Sequence, residues 1–224
     1  GAATFTNTAG TNDAITLDDA SNAFSGTVTL STDSGSAVTV VDTTALDLLA
    51  LSAASLSVTA GGAVTDSGTL AITGATTISA SGQDITLDEA ASTFGTLALT
   101  GVNVAVTENA ATDLGATTVS GTLGITSAGA VTDSGTLAIT GATTISASGQ
   151  DITLDDAAST FGTLALTGAN VAVTENEATD LGASTVSGTF GITSGGAITD
   201  SGTQTITGAA TFTNTAGTND AITL

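Results

Sequence analysis

The stretch DSGTLAITGATTISASGQDITLD at positions 66–88 returns unchanged at positions 133–155. A chain that repeats itself at this spacing builds one structural unit several times over. A single irregular core is therefore excluded, and a stack or a row of like modules is required. Gly1, Gly74, Gly141 and Gly208 open equivalent stretches, which divides the chain into units 1–73, 74–140 and 141–207. Residues 208–224 then repeat residues 1–17 letter for letter, so a new period begins at Gly208. The run 1–224 reads as one continuous segment of a larger array.

Inside each unit apolar residues alternate with small polar ones, as in Leu97-Ala-Leu99 and Val102-Asn-Val104-Ala-Val106. Thr and Ser fill the intervening positions, and Gly or Asx closes most runs, which is the signature of short β-strands. Strands of the form TLxIT or TLxLT, where x is Ala or Gly, carry Leu70, Leu97, Leu123 and Leu137 and read as equivalent. The expected fold class is all-β, a parallel β-solenoid with about 20 to 25 residues per coil and about 9–11 coils in the chain. Each coil would stack about 4.8 Å above the last, with inward Val, Ile and Leu in axial files. Phe24, Phe94 and Phe161 hold one position in successive units, while Phe5 and Phe212 stand where Ile78 and Ile145 stand. They read as core fillers. The competing architecture is a string of β-sandwich domains, but units this small lack both the Trp or Tyr anchor and any disulfide.

Composition narrows the chemistry. There are 21 Asp and Glu against no Lys, Arg or His, a net charge of −21, and neither Cys, Met, Trp nor Tyr. Without bases the chain cannot neutralise phosphates or an anionic membrane surface, so nucleic acid and direct membrane insertion are excluded as partners. Without imidazole, amine or thiol there is no triad base, Schiff-base lysine or zinc cage. The reading is therefore a protein with no catalytic residues and no required cofactor.

Two acidic motifs remain. Asp-Ser-Gly recurs at Asp33, Asp66, Asp133 and Asp200 and resembles an aspartic-protease signature. That chemistry needs two carboxylates about 3 Å apart, whereas copies one unit apart would lie about three coils, roughly 14 Å, from each other. A turn with Asp accepting backbone N–H groups is the expectation. The second motif is an acidic pair after an ITL strand: Asp18-Asp19, Asp88-Glu89 and Asp155-Asp156. These six are the candidate weak calcium ligands, since hard oxygen donors on loops suit that ion, although neither an EF-hand nor the glycine-rich calcium nonapeptide is present. The plainer reading is an exposed acidic turn, repeated every third coil so that mutual repulsion stays small. A carboxylate-based polysaccharide hydrolase built on Asp88 and Glu89 is the enzymatic alternative; a calcium- or carbohydrate-binding repeat module is the other.

The stretches GAVTDSGTLAITGATTISASGQDITLD and VAVTENEATDLGASTVSGTFGITSGGAITDSG resemble the repeat regions of filamentous-haemagglutinin-like giant surface proteins of Gram-negative bacteria. That resemblance implies a right-handed parallel β-helix, an extracellular or cell-surface location, export with an outer-membrane secretion partner, and service as a long adhesive or structural fibre. It carries no catalytic residues across. Partners expected on this reading are the chain itself, in an axial array or bundled filaments, and a surface carbohydrate or host receptor.

Overall fold

The computed structural model describes residues 1–7, 13–33, 35–215 and 220–224. The chain forms two compact units, Gly1–Asn109 and Ala110–Leu224. No described residue is helical.

In the first unit the main strands alternate between two sheets, so each pairs with the next main strand but one along the chain. One sheet runs through Ala3–Thr6, Thr27–Ser31, Leu46–Leu48, Val64–Asp66, Ile85–Leu87 and Val104–Glu108, all parallel. The other runs through Ile15–Leu17, Ala37–Asp42, Ser55–Ala60, Ala75–Ser79 and Thr96–Gly101, again parallel. A short third face pairs Leu51–Ala53 with Leu70–Ile72. The second unit repeats the scheme, and its short third-face strands, Thr117–Val119 with Leu137–Ile139 and Ser184–Val186 with Gln204–Ile206, form the corresponding pairs. Each unit is thus an all-β parallel solenoid, as the alternation predicts, with about 10 turns in the two together. The sandwich alternative is excluded by the uniformly parallel coil-on-coil pairing, because a sandwich of hairpins needs antiparallel neighbours.

Register explains why aliphatic residues dominate. Val58, Ile78 and Leu99 are successive register partners in the first unit, each at most 1% exposed. Ile125, Ile145 and Leu166 form the same file in the second. Each position sees its near-copy one coil above and below, so one branched side chain repeated along the axis fills the interior without the irregular shapes that aromatics supply. The Phe positions obey this rule. Phe94, Phe161 and Phe190 are buried, and Phe5 rests edge-on against Phe24 with ring centroids 5.6 Å apart.

Coil length varies around the expected value of about 20 to 25 residues: Ala3 finds its next-coil partner at Val28 and Val64 at Ile85, whereas Ile85 finds its own at Val104 and Ala37 at Ser55. Two expectations are corrected. The repeat spans a half-integral number of turns. Within the second unit, Ala142–Ser146 and Ala210–Asn214 fall in the same part of consecutive repeats, yet they belong to opposite sheets. Seven successive half-turns separate them. In the first unit Ala3–Thr6 and Ala75–Ser79 are likewise on opposite sheets. Nor are the four TLAIT-like strands equivalent in place: Leu97 and Leu123 open main-sheet strands, whereas Leu70 and Leu137 open short third-face strands.

Candidate functional site

The six acids singled out in the sequence open turns at the edges of the coils. Asp18, Asp19, Asp88 and Asp155 are exposed, and Glu89 and Asp156 are half-buried. The carbonyls of Asp19, Glu89 and Asp156 accept the N–H three residues on, from Asn22, Ser92 and Ser159, at 2.9 to 3.1 Å. Each pair therefore begins a β-turn that reverses the chain after an ITL strand. The side chains reinforce it. Asp19 accepts the N–H and hydroxyl of Ser21, which holds its carboxyl below the usual carboxylate range. Asp156 accepts the N–H of Ala158 at 2.8 Å and the hydroxyl of Thr136 at 3.0 Å. Among the described residues no three acids gather where one ion could be held. Because Ile15–Leu17 and Ile85–Leu87 lie on opposite sheets, the pairs that follow them do not form one ladder along every third coil.

The Asp-Ser-Gly motif has a different part. Ser34 of its first copy lies outside the described residues. Asp66 is buried, with its Oδ1 accepting the N–H of Asp88 at 2.9 Å. Asp133 does the same for Asp155 at 2.9 Å and, with Oδ2, for Asp156 at 3.3 Å. The acid of one turn thus holds the backbone at the acidic pair of the next coil, as the turn reading anticipated for the acceptor role but with the donors a full coil away. Burial pushes both carboxyls up, opposed by those N–H groups, while the charge of Asp88 or Asp155 adds to the rise. The protease reading has no geometry to support it: Asp133 and Asp200 sit on strands of opposite sheets.

Sequence reasoning missed a second set of buried acids. Asp42, Glu108 and Glu175 are 2 to 3% exposed, in a chain with no side-chain base to pair with them. Each accepts the backbone N–H of a repeat phenylalanine: Phe24 to Asp42 at 3.2 Å, Phe94 to Glu108 at 2.7 Å, and Phe161 to Glu175 at 3.1 Å. The acidic turn ends at these phenylalanines, where the backbone rounds a corner and leaves its ladder. A buried N–H there needs a partner, and the carboxylate supplies one without a water. The signal was present in the alternation, because Val104, Val106 and Glu108 share one parity, as do Val38, Val40 and Asp42. Period two therefore turns the acid inward with the valines.

Glu175 has the most perturbed chemistry. Burial raises its pKa to about 7; the Thr179 hydroxyl and the Phe161 N–H oppose the rise, and the charge of Glu177 adds to it. Thr179 Oγ1 and Glu175 Oε1 stand outside ordinary hydrogen-bond geometry, so the defined bond is the one from Phe161. A groove of about 400 Å³ lies beside this corner, lined by Thr118, Ser120, Thr140, Phe161 and Glu177 among others. Its walls carry hydroxyls and one exposed acid, Glu177. The site is a structural latch, in which an acid on one strand ties down the corner of another turn.

Uniform parallel coils, aliphatic files and latched corners define a β-solenoid repeat protein. The chain belongs to a family of repeats of unknown function, DUF5649, whose pattern matches residues 1–31, 35–100, 101–167 and 168–224. No curated protein and no solved structure shows significant similarity to it.

Proposed function

We propose that this chain is a structural segment of an extracellular fibre or giant surface adhesin, giving reach and scaffolding and performing no catalysis. One observation carries the reading: the inward-turned acids are committed to the backbone. Asp42, Asp66, Glu108, Asp133 and Glu175 each accept main-chain N–H groups at corners or turns. An inward acid that holds a corner serves the persistence of the rod. The outer surface is Thr, Ser and uncompensated acid, which keeps rods soluble and apart. Lacking Lys and Arg, the chain offers no site to trypsin-like proteases, and lacking Cys and Met it offers few sites to oxidants, which suits service outside a cell. Export through an outer-membrane partner and adhesion to a carbohydrate or host receptor belong to the same proposal, through the resemblance of the repeats to filamentous-haemagglutinin-like proteins.

The test is made on the organism's own surface. Antibody raised to this segment should label intact cells along thin fibres, and deleting one repeat unit, residues 141–207, from the gene should shorten them by about 17 Å, three and a half coils at about 4.8 Å each. Antigen confined to the cytoplasm, or a fibre whose length ignores the deletion, would overturn the reading. Incubation with polysaccharides should release no sugar, and reproducible release lost on replacing Asp88 and Glu89 would establish the enzymatic alternative instead.

A further inference from the structure

In the second unit the third face carries a groove. Thr117–Val119 lies on Leu137–Ile139, with Thr118 opposite Ala138 and Val119 opposite Ile139, and a single parallel bridge sets Ala138 against Thr160 one coil further on. Three coils thus line one axial groove of about 400 Å³, about 10 Å long at roughly 4.8 Å per coil. Period two sorts the lining. Val119, Ile139 and Phe161 turn inward as the floor, Thr118, Ser120, Thr140 and Thr160 stand along the sides, and Glu177 adds a carboxylate. The main chain beneath is tied on all three coils. The Thr140 N–H donates to the Val119 carbonyl and the Ile139 N–H to the Thr160 carbonyl, both at 2.9 Å. Ser159 Oγ accepts the Leu137 N–H at 2.9 Å, and Glu175 holds the Phe161 N–H at 3.1 Å. The groove is therefore pre-formed, as a binding site needs to be.

Its polar groups are unused. Elsewhere in the second unit outward hydroxyls are committed to neighbouring side chains: Ser134 to Asp113 at 2.8 Å, Thr163 and Ser201 to Asp180 at 3.0 and 2.8 Å, and Thr189 to Asn170 at 3.0 Å. No such bond among the described residues engages the side chains of Thr118, Ser120, Thr140, Thr160 or Glu177. Four hydroxyls and a carboxylate face one cavity with their hydrogen-bonding capacity open. The sequence marks the same place. Glu177 stands where the preceding repeat has Ala110, so the fold is built without an acid at that position and the carboxylate is free for another role.

We propose that this groove binds a short stretch of neutral glycan, with Thr118, Ser120, Thr140 and Thr160 exchanging hydrogen bonds with sugar hydroxyls and Glu177 accepting from a vicinal pair. The lining selects the class of ligand. A hydroxyl both donates and accepts, as does every sugar hydroxyl, so each finds its complement in either sense. An ammonium group only donates and would leave four hydroxyl protons without acceptors. An anionic sugar would approach a chain of net charge −21 with no side-chain base to receive it. Phe161 is 6% exposed, so its ring lies beneath the groove and offers no stacking face. Affinity then rests on hydrogen bonds, the strongest being the charge-assisted ones to Glu177. By giving adhesion a ligand class and a place, the inference rests on the adhesive part of the function proposed above.

Saturation-transfer NMR on the full chain detects weak binding directly. The probes are neutral gluco-, manno-, galacto- and N-acetylglucosamine oligosaccharides, with oligogalacturonate as the anionic control and oligolysine as the cationic one. At least one neutral series should show transfer, and oligogalacturonate none. Glu177→Ala should weaken that binding by about tenfold or more, and Thr140→Val, which removes a hydroxyl and keeps the shape, by about threefold. Melting curves should stay unchanged, since both side chains are exposed. Glu177→Gln, which keeps an acceptor oxygen, should fall between the wild type and the Ala variant. Three results would overturn the groove: no transfer to any neutral series, transfer that Glu177→Ala and Thr140→Val both leave unchanged, or engagement of oligolysine alone. The second would move glycan binding to another surface and leave the adhesive reading standing, whereas antigen confined to the cytoplasm defeats that reading itself.

Discussion

The backbone N–H of Phe94 donates to Glu108 Oε1 at 2.7 Å, from a position 14 residues earlier in the chain, and Phe161 stands to Glu175 in the same relation at 3.1 Å. The first unit keeps the arrangement with Asp42 in place of Glu, at 18 residues' separation from Phe24. The latch therefore keeps its role across a change of side chain and of loop length, which marks the corner N–H as the constant requirement. Four consequences can be measured.

Removing the acceptor should cost more than neutralising it. Glu175→Ala leaves the Phe161 N–H buried and unpaired, a loss of about 1–3 kcal/mol, whereas Glu175→Gln keeps an acceptor oxygen at the same reach and should cost under about 1 kcal/mol. Denaturant unfolding gives the order, and hydrogen exchange at the Phe161 amide should quicken in the Ala variant alone.

Stability should rise as the solution is made mildly acidic. Glu175 is pushed up to about 7 in the folded chain, above its unfolded value, and Asp66 and Asp133 move in the same direction. A folded state that binds the proton more tightly gains stability that is complete below the unfolded pKa and is lost as pH rises through the folded one. The melting temperature should therefore be higher at pH 5 than at pH 8, and Glu175→Gln should flatten that slope. A melting temperature that falls on acidification over this range would contradict the upward shift that burial gives Glu175.

Two glycines should respond for different reasons. Gly82 has φ of +79° with open space around it, so Gly82→Ala meets only the left-handed backbone penalty of about 1–2 kcal/mol. Gly95 packs against the coil below, and an added Cβ would stand 2.5 Å from the Gly74 carbonyl oxygen. Gly95→Ala must move backbone and should cost about 1–3 kcal/mol or more. Replacement of Gly82 by Asn, which tolerates φ > 0, should recover part of its loss, while the same change at Gly95 should be worse than Ala.

The half-integral repeat can be read with spin labels. Thr144 and Thr211 hold the same phase in sequence but lie on strands of opposite sheets. Labels at the two should face away from each other across the sheets, separated by about 17 Å along the axis and about 10 Å across it before the labels' own length is added. Dipolar spectroscopy should give a distance beyond about 20 Å, the resultant of those two spacings. A distance of about 14 Å, three coils on one sheet, would mean that the repeat closes on whole turns.

The parallel solenoid was legible because period-two alternation and exact self-repetition are local properties. Val104, Val106, Leu97 and Leu99 announce their inward direction whatever lies above them, and the files they form follow from repeating one coil. The acidic turns at Asp19, Glu89 and Asp156 were legible for the same reason, since an Asx-rich turn after a strand is decided within a few neighbouring residues. Coil length was less so: Leu70 and Leu97 begin near-identical phrases, yet one opens a short third-face strand and the other a main strand.

The sequence by itself determined the strand class, the apolar interior, the absence of any basic or thiol chemistry and the repeat that carries Gly74 to Gly141 and Gly208. Only the tertiary structure decided that this period takes three and a half turns, because the length of chain a turn consumes depends on corner geometry that no single phrase records. It also decided the partners of the buried acids. Parity alone turns Glu108 and Glu175 inward, but which N–H waits there is set by the coil alongside, where the chain leaves its ladder at Phe94 and Phe161 and a carboxylate is the nearest acceptor.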